Sequence, residues 1–456
     1  MLAMSELFSA LSDTGLTPVT DADVIAAHSV DHARLVEPGR AAALIRARST
    51  EEVAAVLRVA AERAVPVVPQ GARTGLAGSA TAVDGAILLD LSPMDSILSI
   101  DPVNRIAVCQ PGVHNAEISA AAAEHGLRYA PDPSSWRIST IGGNIATAAG
   151  GICCVKYGVT AEYVLGLEVV LASGEIMRCG RRTAKGVAGY DLVHLFCGSE
   201  GTLGVITEAT VKLSPIPPDR LTLAAVFDTT AAAGRAVTAI MAAGAQPSLL
   251  ELIDNVHLRA LEDLRPMGLP TDAAALLLVA ADADPNLELA EIERLCGGAG
   301  AAEVFRATDA AEADALLESR RQALHAMERL GTVLVDDVAV PRSRLAEALD
   351  GIQAASERHG VVIGVIAHAG DGNLHPNIVV DADDGDSVAA GRAAFDEILE
   401  LALGLGGTVT GEHGVGTLKR EWLEREVDPV NLAAQRRIKA AFDPLGILNP
   451  GKILAG

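Results

Sequence analysis

A chain of 456 residues has room for two or three domains, each with its own core. Half of its residues are hydrophobic but only 3% are aromatic, so those cores must be built from closely packed Ala, Val, Leu and Ile. A net charge of −23 excludes nucleic acid as a partner, because phosphate binding needs a basic face; a small anion met by a few local cations stays admissible.

The six cysteines (109, 153, 154, 179, 197 and 296) show no C-x-x-C pair and no metal-finger spacing, and read as buried thiols of a reducing compartment. The opening residues lack a basic n-region and an apolar h-region, and apolar runs such as 273–281 are too short to cross a bilayer. The expectation is a cytoplasmic protein, free or peripheral to the membrane.

Residues 1–36 read as a helical lead-in. From 37 to 110, strands at 42–45, 65–68, 86–89 and 105–108 alternate with one amphipathic helix. Ser49 and Glu52 open that helix as a capping box, and Val53, Val56, Leu57 and Ala60 follow at helical spacing. The second strand runs into a loop with glycines at 71, 75 and 78, a spacing that lets backbone N–H groups turn toward an anion. We read it as a diphosphate cradle, with a plain surface loop as the alternative. It is not the G-x-G-x-x-G of a nicotinamide Rossmann unit, and the near P-loop at 446–452 lacks the Ser or Thr that would bind magnesium.

A second helix spans about 115–125 and ends at Gly126. The glycine-dense stretch 131–151 follows, with so many small residues that its backbone is expected to pack on a large flat ligand; close helix–strand packing would explain only Ala146 to Ala149. Strands at 163–171 and 175–178 form a hairpin about residues 172–174. A third glycine-bearing stretch, 198–207, leads into a strand at 205–213. Pro215, Pro217 and Pro218 then mark a domain boundary at about 217.

The second half alternates in an α+β manner: a strand at 221–227, an Ala-rich helix to about 243, a strand at 276–280 and a helix at 286–296. The acidic run 381–386 reads as a solvated loop. A strand at 361–367 leads into His368-Ala-Gly-Asp-Gly-Asn-Leu-His375. With Asp371-Gly372 as a two-residue turn, His368 and His375 become direct cross-strand partners with Cβ atoms about 4.5–5.5 Å apart. That separation suits two imidazoles converging on one divalent metal; hydrogen-bonded structural roles are the other reading. The stretch 411–414 offers a third ligand. In a helix at 313–330, apolar residues 316, 317, 323, 324, 327 and 330 form one stripe. Arg320 lies on the stripe and must find an anion or snorkel to water, whereas Arg321 lies about 100° round and is expected in solvent.

Taken together, the stretches 66–79, 132–151, 185–191, 198–207, 368–375, 411–414 and 442–452 resemble the flavin-dependent oxidoreductases of the vanillyl-alcohol-oxidase and p-cresol-methylhydroxylase type. Within that type they are similar to the glycolate oxidase, D-lactate dehydrogenase and D-2-hydroxyglutarate dehydrogenase branch. The resemblance implies an α+β chain: an FAD-binding domain of two subdomains at 37–217, and an α+β substrate-cap domain at 218–456. It implies FAD contacts at Gln70, Gly71, Ala72, Arg73, Thr74, Gly75 and Gly78, where the pyrophosphate would sit. Further contacts are implied at Asp132, Pro133, Thr140, Gly142, Gly143, Asn144, Thr147 and Gly150. Glu200, Gly201, Gly204 and Ile206 would lie by the adenine, and Asn449 would return to the isoalloxazine. No His or Cys lies within 66–79, so the FAD is expected to be noncovalent.

The resemblance also assigns Glu412 to the metal (zinc or manganese) beside His368 and His375, His413 to proton abstraction, and Arg320 to a substrate carboxylate. Leu324 and Val335 stand where the hydroxyglutarate branch carries further polar substrate ligands, which favours a short hydroxy acid such as lactate or glycolate. The expected reaction is oxidation of a D-2-hydroxy acid to the 2-oxo acid. Oxygen, a quinone, an electron-transfer flavoprotein and a partner subunit with iron–sulfur clusters all stay open as electron acceptor; the chain has no cluster-binding cysteine spacing of its own. A transferase of the alkyl-glycerone-phosphate synthase kind and a metal-dependent hydrolase are the rival readings.

Overall fold

The computed structural model describes residues 2–217 and 220–455. Pro218, the first residue of the expected cap domain, lies outside them, as do Met1 and Gly456. The chain forms two compact units. Unit 1 comprises Met1–Gly150, Val159–Ile216 and Glu412–Gly456, and unit 2 comprises Gly151–Gly158 and Pro217–Gly411. The C-terminal segment from Glu412 thus groups with the first half of the chain, where the sequence reading carried the second domain through to 456. The physical reason is long-range strand-edge pairing: Val67 donates its N–H to Ile447 O (2.8 Å), and Asn449 donates its N–H to Val67 O (2.8 Å).

Unit 1 opens with helices Leu2–Asp13 and Ala22–His28. Strands β1 (Ala43–Arg46), β2 (Val67–Gln70) and β3 (Ile87–Asp90) form a parallel sheet in the order β1-β3-β2. Helix Thr50–Arg63 connects β1 to β2 and buries Val53, Val56, Leu57 and Ala60, the stripe that its spacing predicts. Ser49 caps it by accepting the Glu52 N–H at 3.2 Å. The return bond of the expected capping box goes one residue further back: Glu52 Oε2 accepts the Arg48 N–H at 2.8 Å. Strands β4 (Ile97–Asp101), β5 (Ile106–Cys109), β7 (Val164–Val170), β8 (Ile176–Gly180) and β9 (Val205–Lys212) make an antiparallel sheet in the order β4-β5-β9-β7-β8. A small ladder pairs β6 (Leu127–Arg128) with β10 (Ser214–Pro215).

Unit 2 is built on β11 (Leu221–Phe227), β12 (Leu249–Asp254), β13 (Ala275–Ala281), β14 (Glu303–Arg306), β15 (Thr332–Val335), β16 (Val338–Ala339), β17 (Val362–His368) and β18 (Asn373–Val380). They form one sheet in the order β14-β11-β13-β12-β17-β18-β15, with β16 also on β18. Its core is aliphatic, as the low aromatic content requires: Leu258, Leu261, Leu276, Leu278 and Met327 are among its buried members. The helix expected at 313–330 is two helices, Ala310–Arg321 and Ala323–Glu328, meeting at Gln322. Leu317, Ala323 and Met327 of the stripe are buried, but Leu330 lies past the second helix and is exposed.

None of the described cysteines forms a disulfide. Cys109, Cys153 and Cys296 are buried as expected, whereas Cys154, Cys179 and Cys197 are only half-buried. No described helix is long and apolar enough to cross a membrane.

Candidate functional site

In unit 1 the predicted cradle leaves the end of β2. Gln70, the last residue of that strand, is buried and donates Nε2 to His28 O and Ala80 O, both at 2.8 Å, closing the base of loop 71–79. Asn449 braces the far side, donating Nδ2 to Ser79 O (2.9 Å) and Glu200 O (2.7 Å). The Glu200 carboxylate is itself tied down: it accepts from Ser79 Oγ and from the backbone N–H groups of Val415 (2.7 Å) and Gly416 (2.8 Å). Burial pushes that carboxyl above the usual range, and those donors oppose the shift.

The second and third glycine stretches meet this loop. Thr140 is the N-cap of helix Ile141–Thr147, and a Cβ at position 71 would fall 2.3 Å from Thr140 Oγ1, so any larger residue there would force Thr140 to shift. Glu200 donates its N–H to Ala146 O (2.7 Å), docking stretch 198–201 on the other end of the same helix. Gly143 also faces Thr140, and the Glu412 carboxylate lies against Gly150. Asn144 and Thr147 are turned onto their own segment, to Ser139 Oγ and Gly143 O. Gly142 packs on Pro111, while Gly204 and Ile206 sit among sheet residues such as Val169. The structure thus gathers Gln70, Gly71, Thr140, Gly143, Glu200 and Asn449; for Gly142, Gly204 and Ile206 the contacts are those of packing.

Three buried polar atoms around the loop have no hydrogen-bond partner: Gln70 Oε1, Thr140 Oγ1 and Asn449 Oδ1. Buried polar groups are nearly always satisfied, so three orphans at one loop are what an absent polar ligand leaves behind. Arg73, Glu200 and Asn449 add left-handed backbone, with φ of 58°, 50° and 42°. Such conformations are costly in non-glycine residues and cluster at ligand clamps. The residues present therefore fit a dinucleotide such as FAD.

Unit 2 holds a cluster of charged side chains within its sheet. His368 ends β17 and its Cα is paired with that of Glu251 on β12. Glu251 is fully buried; its Oε1 lies 2.8 Å from His368 Nδ1 and its Oε2 2.7 Å from Arg320 Nε. Arg320 is 2% exposed and comes from the last turn of helix Ala310–Arg321. The side chain of its neighbour Arg321 is 27% exposed, half-buried where the stripe puts it in solvent. On β18, His375 presents Nδ1 toward Asp337 Oδ1 at 3.7 Å, and Asp337 Oδ2 accepts from Thr410 Oγ1 (2.7 Å) and Gly411 N–H (2.9 Å).

The hairpin register differs from the expected one. His368 pairs with Asn373, and His375 pairs with Ile366, so the two histidines are diagonal neighbours and not direct partners. A two-residue turn of the expected type needs positive φ at both central residues, and of Asp371 and Gly372 only Gly372 has it (78°). The chain instead turns over residues 369–372, with Asp371 N–H and Gly372 N–H both donated to His368 O. Because the shift is two residues, both histidines keep one face. Their rings meet edge-on with centroids 4.9 Å apart.

Sequence reasoning missed Glu251 and Asp337. Each carried one signal, carboxylates in an apolar run: a single one in Leu249-Leu250-Glu251-Leu252-Ile253 and an adjacent pair in Val335-Asp336-Asp337-Val338. Such a carboxylate must be paired if it is buried. Glu412 and His413 belong to unit 1, with Oε1 and Nε2 3.8 Å apart. The expected ligand set thus takes His368 and His375 from unit 2 and Glu412 from unit 1.

Two family models match the chain: "FAD binding domain" over residues 41–180 and "FAD linked oxidases, C-terminal domain" over residues 216–453. Among curated proteins, the chain is 45% identical to glycolate oxidase subunit GlcD of Bacillus subtilis, over 91% of this chain and 89% of that one. It is 36% identical to a D-lactate dehydrogenase of Anaerostipes hadrus, over 93% and 91%. Among solved structures, p-cresol methylhydroxylase with substrate bound superposes with a TM-score of 0.80 at 18% identity, covering 100% of this chain and 96% of that one. An alkyldihydroxyacetonephosphate synthase gives 0.72 at 19%, covering 95% and 83%. At such identities the structural likenesses show the fold alone.

Proposed function

The chain belongs to the FAD-linked oxidases, and from that premise we propose that it oxidises a short D-2-hydroxy acid, of lactate or glycolate size, to the 2-oxo acid. The observation that carries this reading is Arg320, a guanidinium buried to 2% exposure in the same cluster as the histidine pair. A buried arginine suits a substrate carboxylate, which it can grip with two parallel N–H bonds. The positions where a longer dicarboxylate would need polar partners hold Leu324 and Val335, both packed on the apolar core of unit 2.

Bound FAD supplies the acceptor for the substrate's Cα hydrogen and its electron pair. Loop 71–79, Thr140 and Asn449 would hold it noncovalently, with Gln70 Oε1, Thr140 Oγ1 and Asn449 Oδ1 finding their missing partners. His368, His375 and Glu412 would hold a divalent ion, zinc or manganese, that takes up negative charge on the substrate. Mixed nitrogen and oxygen donors suit either ion. Two features support that set. Each histidine turns its Nδ1 to a buried carboxylate, and Glu412 directly follows Gly411, whose N–H is bonded to Asp337. His413 would accept the hydroxyl proton. The electrons then leave to a separate acceptor, with a partner subunit carrying iron–sulfur clusters among the candidates.

The test is anaerobic titration of the flavin-loaded protein with D-lactate, L-lactate and glycolate, repeated after treatment with a chelator. D-lactate or glycolate should bleach the flavin absorbance, L-lactate should not, and chelation should stop the bleaching without releasing FAD. Failure of every hydroxy acid to bleach the flavin overturns the substrate assignment. Bleaching that survives complete metal removal overturns the metal.

A further inference from the structure

The hydroxy-acid site proposed above leaves one buried group without a role. Glu251 lies in the middle of β12, fully buried, between two residues given separate tasks: His368 as metal ligand and Arg320 as carboxylate anchor. Its two oxygens are divided between them, Oε1 to His368 Nδ1 at 2.8 Å and Oε2 to Arg320 Nε at 2.7 Å. Glu251 and His368 are Cα partners across adjacent strands, so the first contact is fixed by the sheet itself. Arg320 is carried by a helix and reaches the same carboxylate from outside the ladder.

We propose that Glu251 is a positioning residue that serves both halves of the site through one carboxylate; this rests on the metal and carboxylate roles given above. An ionised carboxylate can only accept, so the bond to Oε1 places the His368 proton on Nδ1 and leaves the Nε2 lone pair for the metal. A carboxylate behind a ligating histidine also raises the basicity of that ligand. The contact with Arg320 is an ion pair at Nε, the inner edge of the guanidinium, without hydrogen-bond geometry; it holds the charge beside Glu251 and leaves the outer nitrogen pair that a substrate carboxylate would take. With its partner charges buried beside it, Glu251 cannot be replaced by water, and the two tasks are coupled through a single side chain. Arg320, which is not a metal ligand, then influences metal affinity, because it shares the group that sets His368.

The experiment measures zinc dissociation constants of the flavin-loaded, metal-stripped protein by competition with a chromophoric chelator. It compares wild type, Glu251→Gln, Arg320→Lys and the double variant, with FAD content and melting temperature as controls on folding. Glu251→Gln should weaken zinc binding 10- to 100-fold, the usual effect of removing such a partner of a ligating histidine. Arg320→Lys should weaken it about threefold or more in the wild-type background and have no further effect when Glu251 is Gln. If Glu251→Gln does not fold, Glu251→Asp keeps the charge but retracts it by one methylene, and should weaken zinc binding about tenfold. Zinc binding unchanged in the Gln variant (or in the Asp variant, where only that one folds), or additive effects in the double variant, overturns the proposal. A wild-type protein that binds no zinc overturns the metal reading itself, a result separable from the first because it appears before any substitution is made.

Discussion

The glycine loop of unit 1 leaves backbone and neutral polar groups for its ligand; the sheet of unit 2 leaves charged side chains, and the charged Glu412 and His413 of unit 1 lie outside that loop. The cradle of unit 1 depends on what is missing, a Cβ at position 71, and on three neutral polar atoms with no internal partner. In unit 2 the cluster depends on charges that already have partners, with Glu251 between His368 and Arg320. The difference follows from the tasks proposed for each. A large cofactor that stays bound can be gripped by many weak, shape-dependent contacts from backbone that approaches closely. A small anion that must enter and leave needs a few strong, oriented charges, and charges in a protein interior hold their direction only when they are themselves paired.

The largest effect that would sharpen this contrast is at His413. Replacing it by Ala should slow flavin reduction by a hydroxy acid at least about a hundredfold in anaerobic stopped-flow measurements, with FAD and metal content unchanged. A reduction rate within a few-fold of wild type removes His413 from the proton transfer.

Next is the pair of arginines. Arg320→Lys should reduce kcat/KM for the hydroxy acid at least about tenfold, because Lys lacks the planar fork, whereas Arg321→Lys should stay within about twofold. Flavin content should be unchanged in both. Equal effects at the two positions would break the assignment of charge recognition to the buried face of that helix.

An effect on cofactor binding, confined to unit 1, is expected at Gly71. An added Cβ would fall 2.3 Å from Thr140 Oγ1, so Gly71→Ala should weaken FAD binding by about 1–3 kcal/mol, the usual cost of overpacking. The nearest remaining atom, Thr140 Cβ, would lie at 3.6 Å, so adding Thr140→Ala should relieve the clash and recover part of the affinity. Apparent FAD affinity by fluorescence titration checks both, and no difference between the single and double variants would show that Thr140 does not set the fit.

A last effect, on stability and not on the site, concerns a charge in unit 1 that belongs to the fold. Lys452 is buried and bonded to Thr417 Oγ1 at 2.7 Å. Burial pushes its ammonium down to about 8, against the pull of Asp31 and Glu200. Between pH 8 and 10.5 the unfolded chain therefore holds more protons than the folded one, and stability rises with pH across that window. Keeping the buried ammonium charged costs on the order of 3 kcal/mol below pH 8, and the cost disappears above pH 10.5. Relative to Lys452→Met, the wild type should gain stability by an amount of that order between pH 7 and 10.5, as read from denaturant unfolding. A constant difference over that range removes the linkage.

The two units were also unequally legible in the sequence. Glycine spacing pointed to a close backbone approach, which is a local requirement, and the structure brings Gln70, Gly71, Thr140, Gly143, Glu200 and Asn449 of those stretches and the C-terminus together. Many strand positions came through for the same reason: β11 spans the expected residues and the other expected strands are displaced by a residue or two, whereas β4, β6, β10, β12, β14, β15 and β16 were not expected. In unit 2 the histidines were visible and their shared face survived a two-residue slip in register, since side chains on a strand alternate with period two. Their carboxylate partners were not, because Glu251 is 117 residues from His368 and nothing local links the two. The break at Gln322 escaped notice for a similar reason: the apolar stripe continues across it at helical spacing although the helix does not.

The closure of the cradle by Asn449 has a consequence for how this protein is made. Loop 71–79 leaves the ribosome early, but the side chain that ties Ser79 to Glu200 lies 370 residues downstream of Ser79. At roughly 5–20 residues per second, synthesis takes about 20–75 s to bridge that interval. Throughout it, the edge of β2 that later receives Leu448 and Asn449 is open, while all of unit 2 is being translated. The unit that begins first is completed last, and a nascent chain halted anywhere before residue 447 carries an unsealed β-edge next to its cofactor loop.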